Sequence, residues 1–501
     1  MLSNSVSRLS SSNLEEWLDW LVRPPSAYPV SCLKVVWSLA DFTKAVLSNL
    51  PGNVLADLSS PPHKARWWDY KFFYIADKVL SIGKNGTEVS FYDLSQYFPD
   101  ESEPDSLELL QQKADMLRDV LFDLGVIRPS SLSSPVAAFN GHKILSLVKA
   151  TVPTIFDASD NVIDAYATAL QCTPREWVSN YQVGHFSNLW GYDLSSAYPA
   201  EAAKLLHLGD CAFLRATELN LSAYYGFLVG DFTVYPDHPM AYCSPFLADR
   251  GDGIPINFTG TEHDYPCLLD EVRTLYRYNM GEFKMKRGWF VSPTSGVRPR
   301  RPFKELVEVL YILRGGGSPE NSKLRSYLLK RVLNGLIGKL LESRRDEKGN
   351  VIEYGDLYNP IYHSLCTTGT RLRVFDFIVQ NNITREQLVH VGVDGLKATC
   401  DLGLPEEASL GNWRQTNEAP AVVLSPGAII SLSRNFKSTG YIDFFAETIL
   451  HAGASIFGVS RKNPIDLRTL FLNQNRYFSR LPRTAGELMS GESYFSDPIC
   501  V

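Results

Sequence analysis

Two isolated aspartates are the residues of this chain best suited to do chemistry. Asp193 opens the string Asp193-Leu194-Ser195-Ser196-Ala197-Tyr198-Pro199, and Asp394 sits in His390-Val391-Gly392-Val393-Asp394-Gly395. Between them lies Lys330-Arg331-Val332-Leu333-Asn334-Gly335-Leu336-Ile337-Gly338. Two carboxylates delivered by separate strands, with a basic helix between, suit phosphoryl transfer on a nucleoside triphosphate. Carboxylate oxygens hold Mg²⁺, and the ions neutralise charge on the attacking and leaving oxygens.

Each string implies the element that must position it. Phe186 to Tyr192 is rich in aromatics and ends at Asp193, which places that acid at a strand end. The Leu194 carbonyl is offered to the same ion, Ser196 and the amides near Ala197 to a triphosphate, and Tyr198 packs under a sugar. Taken alone, the heptad also reads as a plain strand, a turn and a helix beginning at Ala200. Lys330, Asn334 and Gly338 are spaced i, i+4 and i+8, hence on one helical face. Gly335 and Gly338 each cost about 1 kcal/mol relative to Ala inside a helix. That implies close approach either of a flat ligand or of a neighbouring helix, and the string alone leaves both open. Leu388 to Val393 is apolar, Asp394-Gly395 is a two-residue hairpin signal, and Leu396 to Thr399 returns as the second strand.

The surrounding chain supplies a scaffold of ordinary composition. It has 501 residues, 45% hydrophobic and 21% charged, long enough for several domains with a real core. Phe303 to Arg314 has helical periodicity, Gly315-Gly316-Gly317 breaks it, and Ser318-Pro319 restarts a helix running to about Leu341. Two helices around a glycine turn form an αα-hairpin. From Lys284 to Arg345 there are 15 Lys/Arg against 4 Asp/Glu, an excess of +11 that leaves −17 for the rest of a chain of net charge −6. One basic segment in an acidic chain is the footprint of a phosphate-binding element, and the Val297-Arg298-Pro299-Arg300-Arg301-Pro302 loop extends it. Residues 30–150 mix short apolar runs with helical stretches such as Leu107 to Leu124, an α/β pattern. Asn13 and Glu16 read as a capping box for a helix that Pro24-Pro25 stops. The Ser-rich Pro129-to-Pro135 stretch reads as a linker. The 8 cysteines contain no Cys-x-x-Cys pair, which argues against a zinc site or disulfide framework. No apolar run is long enough to cross a bilayer, and the Ser-rich start reads as a frayed terminus, with organelle targeting as the lesser reading.

In order, the three strings resemble motifs A, B and C of family B DNA polymerases. The first fits Asp-x-x-Ser-Leu-Tyr-Pro with Ala197 in place of Leu. The second fits Lys-x-x-x-Asn-Ser-x-Tyr-Gly with Gly335 for Ser and Ile337 for Tyr. The third keeps only the second acid of Tyr-x-Asp-Thr-Asp-Ser, with His390, Gly392, Val393 and Gly395 at the other positions. Leu310-Tyr311 with Arg314 resembles the first fingers helix. Tyr358-Asn359-Pro360 and Thr367 to Arg371 resemble the stretch after motif B, and Leu410-Gly411-Asn412-Trp413-Arg414 resembles the protein-primed branch of phages and linear plasmids. The resemblance covers roughly residues 185–430. It implies that Asp193, Leu194 and Asp394 hold two Mg²⁺ (or Mn²⁺) ions, and that Leu194, Ser195, Ser196, Ala197, Tyr198, Arg314, Lys330 and Asn334 grip the deoxynucleotide triphosphate. It further implies that Tyr198 excludes a 2′-hydroxyl, and that Gly335, Gly338, Arg371 and Lys397 meet the primer-template. A Lys-x-Tyr is expected after motif C, where this chain has Gly427-Ala428-Ile429.

The fold class expected on this resemblance is α/β (α+β), a right-hand polymerase with palm, fingers and thumb plus an amino-terminal exonuclease-like domain. The expected divisions are 1–180 for that degenerate domain, 181–302 and 342–420 for the palm, 303–341 for the fingers and 421–501 for the thumb. No Asp-x-Glu proofreading signature stands among residues 1–180; Asp57, Asp77 and Asp93 follow or end apolar runs, a position far commoner for surface acids than for nuclease ligands. A Tyr-x-Gly-Gly template-binding motif is not recognisable near Cys172–Arg175. The function expected is DNA-templated DNA synthesis without proofreading, in viral or plasmid replication. Its partners would be a DNA primer-template, deoxynucleotide triphosphates and, in that branch, a terminal protein. The location expected is intracellular: host cytoplasm, virion or organelle, with no membrane partner. The rival is a polymerase-fold protein of little or no activity that binds DNA or serves in the virion; a metal-dependent nuclease ranks below both, for want of acids in the amino-terminal third.

Overall fold

The computed structural model describes residues 11–22, 32–60, 62–76, 78–99, 101, 103–126, 129, 131–139, 152–173, 176–182, 184–249, 255–315, 322–345, 351–417, 421–425, 428–431 and the short strands 457–460, 463–465, 476–477 and 499–500. The chain mixes α-helices with β-sheets and divides into two compact units. The first comprises Met1–Thr151 with Leu306–Leu336; the second comprises Val152–Glu305 with Ile337–Val501.

In the first unit, Cys32–Val36 pairs parallel with Thr87–Asp93, and Val79–Lys84, Tyr70–Ile75 and Lys64–Trp67 follow antiparallel. Alternation puts Ala65, Tyr70, Phe72, Leu80, Ile82, Val89 and Phe91 in one core with Leu14, Leu18 and Leu21 of the helix Ser11–Val22. That helix begins two residues before the cap expected at Asn13. Within the Pro129-to-Pro135 stretch, expected as a linker, Leu132 is buried and its carbonyl accepts from Gln96 Nε2 (2.8 Å) and Tyr97 Oη (2.9 Å). Asp93 is engaged structurally, accepting from the Leu39 and Ser95 amides at 3.1 and 2.8 Å. Asp77 lies outside the described residues.

The helical hairpin is Lys304–Arg314 and Ser322–Lys339. Arg314 Nε donates to Ser326 Oγ (3.1 Å) and Arg325 Nε to the Leu313 carbonyl (2.9 Å), so each helix holds the other near the turn. The Ser318-Pro319 restart lies outside the described residues.

In the second unit, an antiparallel five-stranded sheet has the order Trp413–Asn417, Trp190–Leu194, Gly395–Ala398, Leu388–Gly392, Val178–Asn180. One face buries Tyr192, Leu396, Ala398 and Val391 against Phe375, Phe377 and Ile378 of the helix Pro360–Gln380. Asn359 caps that helix, accepting from the Tyr362 amide at 3.1 Å, with Pro360 in its first turn. The period of two turns Asp193, Gly395, Lys397 and Arg414 to the other face. A separate four-stranded sheet orders Gly260–Leu268, Tyr225–Val234, Gly281–Pro293 and Cys211–Ala216. Most of residues 421–501, including Gly427, lie outside the described residues. The six described cysteine side chains are free thiols. Among the described residues no helix is long and apolar enough to cross a membrane.

Candidate active site

Strand register brings the two aspartates together. Asp193 is the pairing partner of Gly395, and the Leu194 amide donates to the Asp394 carbonyl at 3.0 Å. Residues 201 positions apart in the chain thus become neighbours across one strand pair. The hairpin differs by one residue from the Asp394-Gly395 turn expected. Gly392 pairs with Gly395, so Val393 and Asp394 are the two central residues. Val393 has φ +49°, a left-handed conformation that β-branched residues rarely adopt, and its amide is held by the Trp177 carbonyl at 2.9 Å. Ser196, just after the other acid, is also left-handed at φ +50°. Backbone strain on both sides of the acids is the kind that clusters at functional sites.

Ser196 leads into a short helix, Ala197–Ala202, that starts before the Ala200 of the plain reading and places Tyr198 in its first turn. Burial raises the Tyr198 phenol well above its ordinary value, and Glu176 and Asp394 raise it further, against a smaller pull from Arg371. Ser195 is clamped from both sides: its amide donates to the Asn412 carbonyl (2.9 Å) and its carbonyl accepts from the Gly411 amide (2.7 Å). The Leu410-to-Arg414 string therefore lies directly against the first aspartate's strand.

Arg414 is the main residue that sequence reasoning passed over. It pairs in register with Asp193, and its Nε and Nη2 both donate to Asp193 Oδ2, at 2.8 and 2.5 Å. Lys397 lies on the same face, half-buried; burial lowers its ammonium to about 8 while Asp193 pulls it back up. Glu176 is the second omission. Val178 pairs with Gly392 and the Val393 amide reaches Trp177, so the chain continues back to Glu176 beside the hairpin tip. Only cross-strand register could have revealed either residue. In the third string, the His390 ring fills the space beside Gly392: a Cβ at 392 would meet His390 Nε2 at 2.8 Å. His390 Nδ1 sits 2.7 Å from Asn180 Oδ1, and burial followed by Lys397 lowers the imidazole to about 3.

Two expected contacts are corrected. Arg371 was assigned to the primer-template, but it is 3% exposed and bound to Glu271 at 2.7 Å inside the second unit. No surface ligand reaches it there. Gly335 was also assigned to the primer-template, but a Cβ there would meet Val136 Cγ2 at 2.4 Å, so the glycine serves close packing against the short helix Pro135–Ala138. Lys330, Asn334 and Gly338 do lie exposed along one face of Ser322–Lys339, and a Cβ at Gly338 would meet nothing within 4 Å. Of the basic loop, Arg300 is taken up by Asp210, with Nη2 to Oδ1 at 2.8 Å and Nε to Oδ2 at 3.0 Å.

The oxygens of Asp193 and Asp394, with the Leu194 carbonyl, are the hard donors that Mg²⁺ takes; this ion usually needs only one or two protein carboxylates beside substrate phosphates. The donor set fits a divalent ion in kind. Among the described residues no group of three or more His, Cys, Asp or Glu gathers as a self-sufficient metal cage.

No protein-family model matches the chain, and no curated protein matches it by sequence. Solved structures do. Phi29 DNA polymerase complexed with primer-template DNA and incoming nucleotide superposes with a TM-score of 0.53 at 13% identity, over 85% of this chain and 82% of that one. The orthorhombic crystal form of phi29 DNA polymerase gives 0.51 at 12% identity, over 83% and 80%. The chain thus resembles, in fold, the protein-primed family B DNA polymerase of phi29.

Proposed function

We propose that this chain is a DNA-templated DNA polymerase that extends a primer 3′-hydroxyl with deoxynucleotides, in viral or plasmid replication and without proofreading. One observation carries the proposal: strand register sets Asp394, at the tip of its hairpin, beside the end of the strand that carries Asp193, within a phi29-polymerase-like fold. In this reading residues 181–302 and 342–420 form the palm, 303–341 the fingers and 421–501 the thumb. Asp193, Asp394 and the Leu194 carbonyl hold two Mg²⁺ or Mn²⁺ ions, which when bound neutralise charge on the attacking and leaving oxygens. Ser195, Ser196 and Ala197 orient the triphosphate, and Tyr198 supports the sugar and excludes a 2′-hydroxyl. Arg314, Lys330 and Asn334 bind phosphate, the arginine as a fork and the lysine as a point charge. Gly338 and Lys397 face the primer-template, and a terminal protein supplies the priming hydroxyl.

Primer extension with Mg²⁺ tests the proposal. Asp193→Asn and Asp394→Asn should each abolish incorporation; full activity in either variant refutes the assignment.

A second reading has its own observation. Gly392 removes one acid of the motif, and Arg414 already neutralises Asp193. A DNA-binding or virion component with an inert polymerase fold would show salt-sensitive DNA binding and no incorporation with any primer.

A further inference from the structure

The contact between Arg414 and Asp193 is built by the sheet rather than by chance meeting of two long side chains. Trp413–Asn417 is an edge strand paired along its whole length with Trp190–Leu194, and Arg414 stands opposite Asp193 in that ladder. The Ser195–Gly411 and Ser195–Asn412 backbone bonds lock the register one residue away. Both N–H groups of the fork converge on a single oxygen, Oδ2, and each side chain is 38% exposed. Lys397 adds a second cation to the same face. Two cations therefore stand on the face of Asp193 without any added ion.

We propose that Arg414 is a resident counter-ion of Asp193 that competes with divalent metal ions for Oδ2, so that metal loading requires this side chain to swing away. The inference rests on the metal-binding reading of Asp193 given above. A divalent ion bonds a carboxylate oxygen at about 2.1 Å. It would then stand against a guanidinium whose two donors are within 2.8 Å of that same oxygen. Two cations at that separation repel strongly where solvent only half screens them. The site is thus closed to metal in one side-chain arrangement and open in another, and the switch is a rotation of one exposed arginine. Triphosphate offers the released guanidinium a competing anion of the bidentate kind that it prefers. Nucleotide would accordingly favour metal loading, which the arginine otherwise weakens without preventing.

Mn²⁺ binding to the full chain, read from the loss of the free-ion electron paramagnetic resonance signal, tests this without an activity assay. Arg414→Gln should bind Mn²⁺ about tenfold more tightly than the wild type, equivalent to roughly 1.4 kcal/mol, the loss of one charge-assisted contact. Arg414→Lys, which keeps the charge but not the fork, should gain less. Adding Asp193→Asn to Arg414→Gln should erase the gain. Equal Mn²⁺ affinity in wild type and a folded Arg414→Gln overturns the competition while leaving the Asp193-sensitive metal site standing. Absence of Mn²⁺ binding in every protein overturns both. Should Arg414→Gln fail to fold, the wild type still decides. Its Arg414 Nε–H resonance should lose protection from solvent exchange on adding Mg²⁺, and unchanged protection at saturating Mg²⁺ refutes the proposal.

Discussion

Replacing Arg371 by methionine should cost the second unit about 3–5 kcal/mol, the range for stranding one partner of a buried ion pair. Both partners are almost sealed from water, with 4% of the Arg371 and 2% of the Glu271 side chain exposed, and Nη2 meets Oε1 at 2.7 Å. At an effective dielectric of about 20, opposite charges about 4 Å apart attract by roughly 4 kcal/mol. Burial has already pushed the Glu271 carboxyl above its ordinary range, with Arg371 pulling it back. Methionine keeps the aliphatic length, so the loss reports charge rather than a cavity. The pair's own net worth is small, because desolvation offsets attraction. The double variant Arg371→Met with Glu271→Gln should therefore recover most of the stability, the Gln oxygen still accepting from the Leu268 amide, a 2.8 Å bond in the wild type. Denaturant unfolding followed by amide exchange in Pro360–Gln380 measures the effect. The sign with pH is fixed as well. A carboxyl whose folded value is raised destabilises only once it ionises in the unfolded chain, so the single-variant penalty should shrink as pH falls toward about 4.3. A loss below about 1 kcal/mol, or a penalty that grows on acidification, refutes the reasoning.

Gly335→Ala separates helix propensity from packing. Propensity alone would add about 1 kcal/mol of stability, whereas the 2.4 Å approach to Val136 should remove about 1–3 kcal/mol. A lower thermal midpoint that Val136→Ala restores is expected; stabilisation by the alanine refutes the close contact. Two histidines should make the second unit acid-sensitive. Burial holds His390 at about 3 and His363 at about 4 when folded, so each takes up a proton on unfolding below about pH 6.5. Their contribution is fully present above that pH and falls by about 1.4 kcal/mol per pH unit for each histidine on the way down. Thermal midpoints between pH 7 and 5 should fall accordingly, and His390→Gln should remove about half of the slope; a slope unchanged by that substitution counts against His390.

Local pattern made part of this molecule legible. The Lys304–Arg314 helix and the return helix to Lys339 follow from apolar spacing and the glycine break, and the Lys330–Asn334–Gly338 face is exposed as its period requires. The strand–acid–turn order around Asp193 and the hairpin at Asp394 were equally readable, the second to within one residue. What local pattern does not hold is register. Nothing in Leu410-to-Arg414 states that Arg414 will stand opposite Asp193, or that Trp177 will hold the hairpin tip, because these depend on which strands pair across more than two hundred residues. Arg371 misled for a different reason. Pro360–Gln380 is buried on nearly every side, so the helix has no polar stripe to mark which of its charges face water.

The His390 ring beside Gly392 makes two differences from the motif a single, interlocked one. An aspartate restored at 392 by one mutation would bring its Cβ within 2.8 Å of an imidazole that is itself packed against Asn180 and walled in by neighbouring strands. Removing the imidazole first would open a void with no acid to fill it. Either single exchange therefore disturbs the packing at this corner of the sheet, and only a paired exchange alters both side chains without leaving a clash or a void.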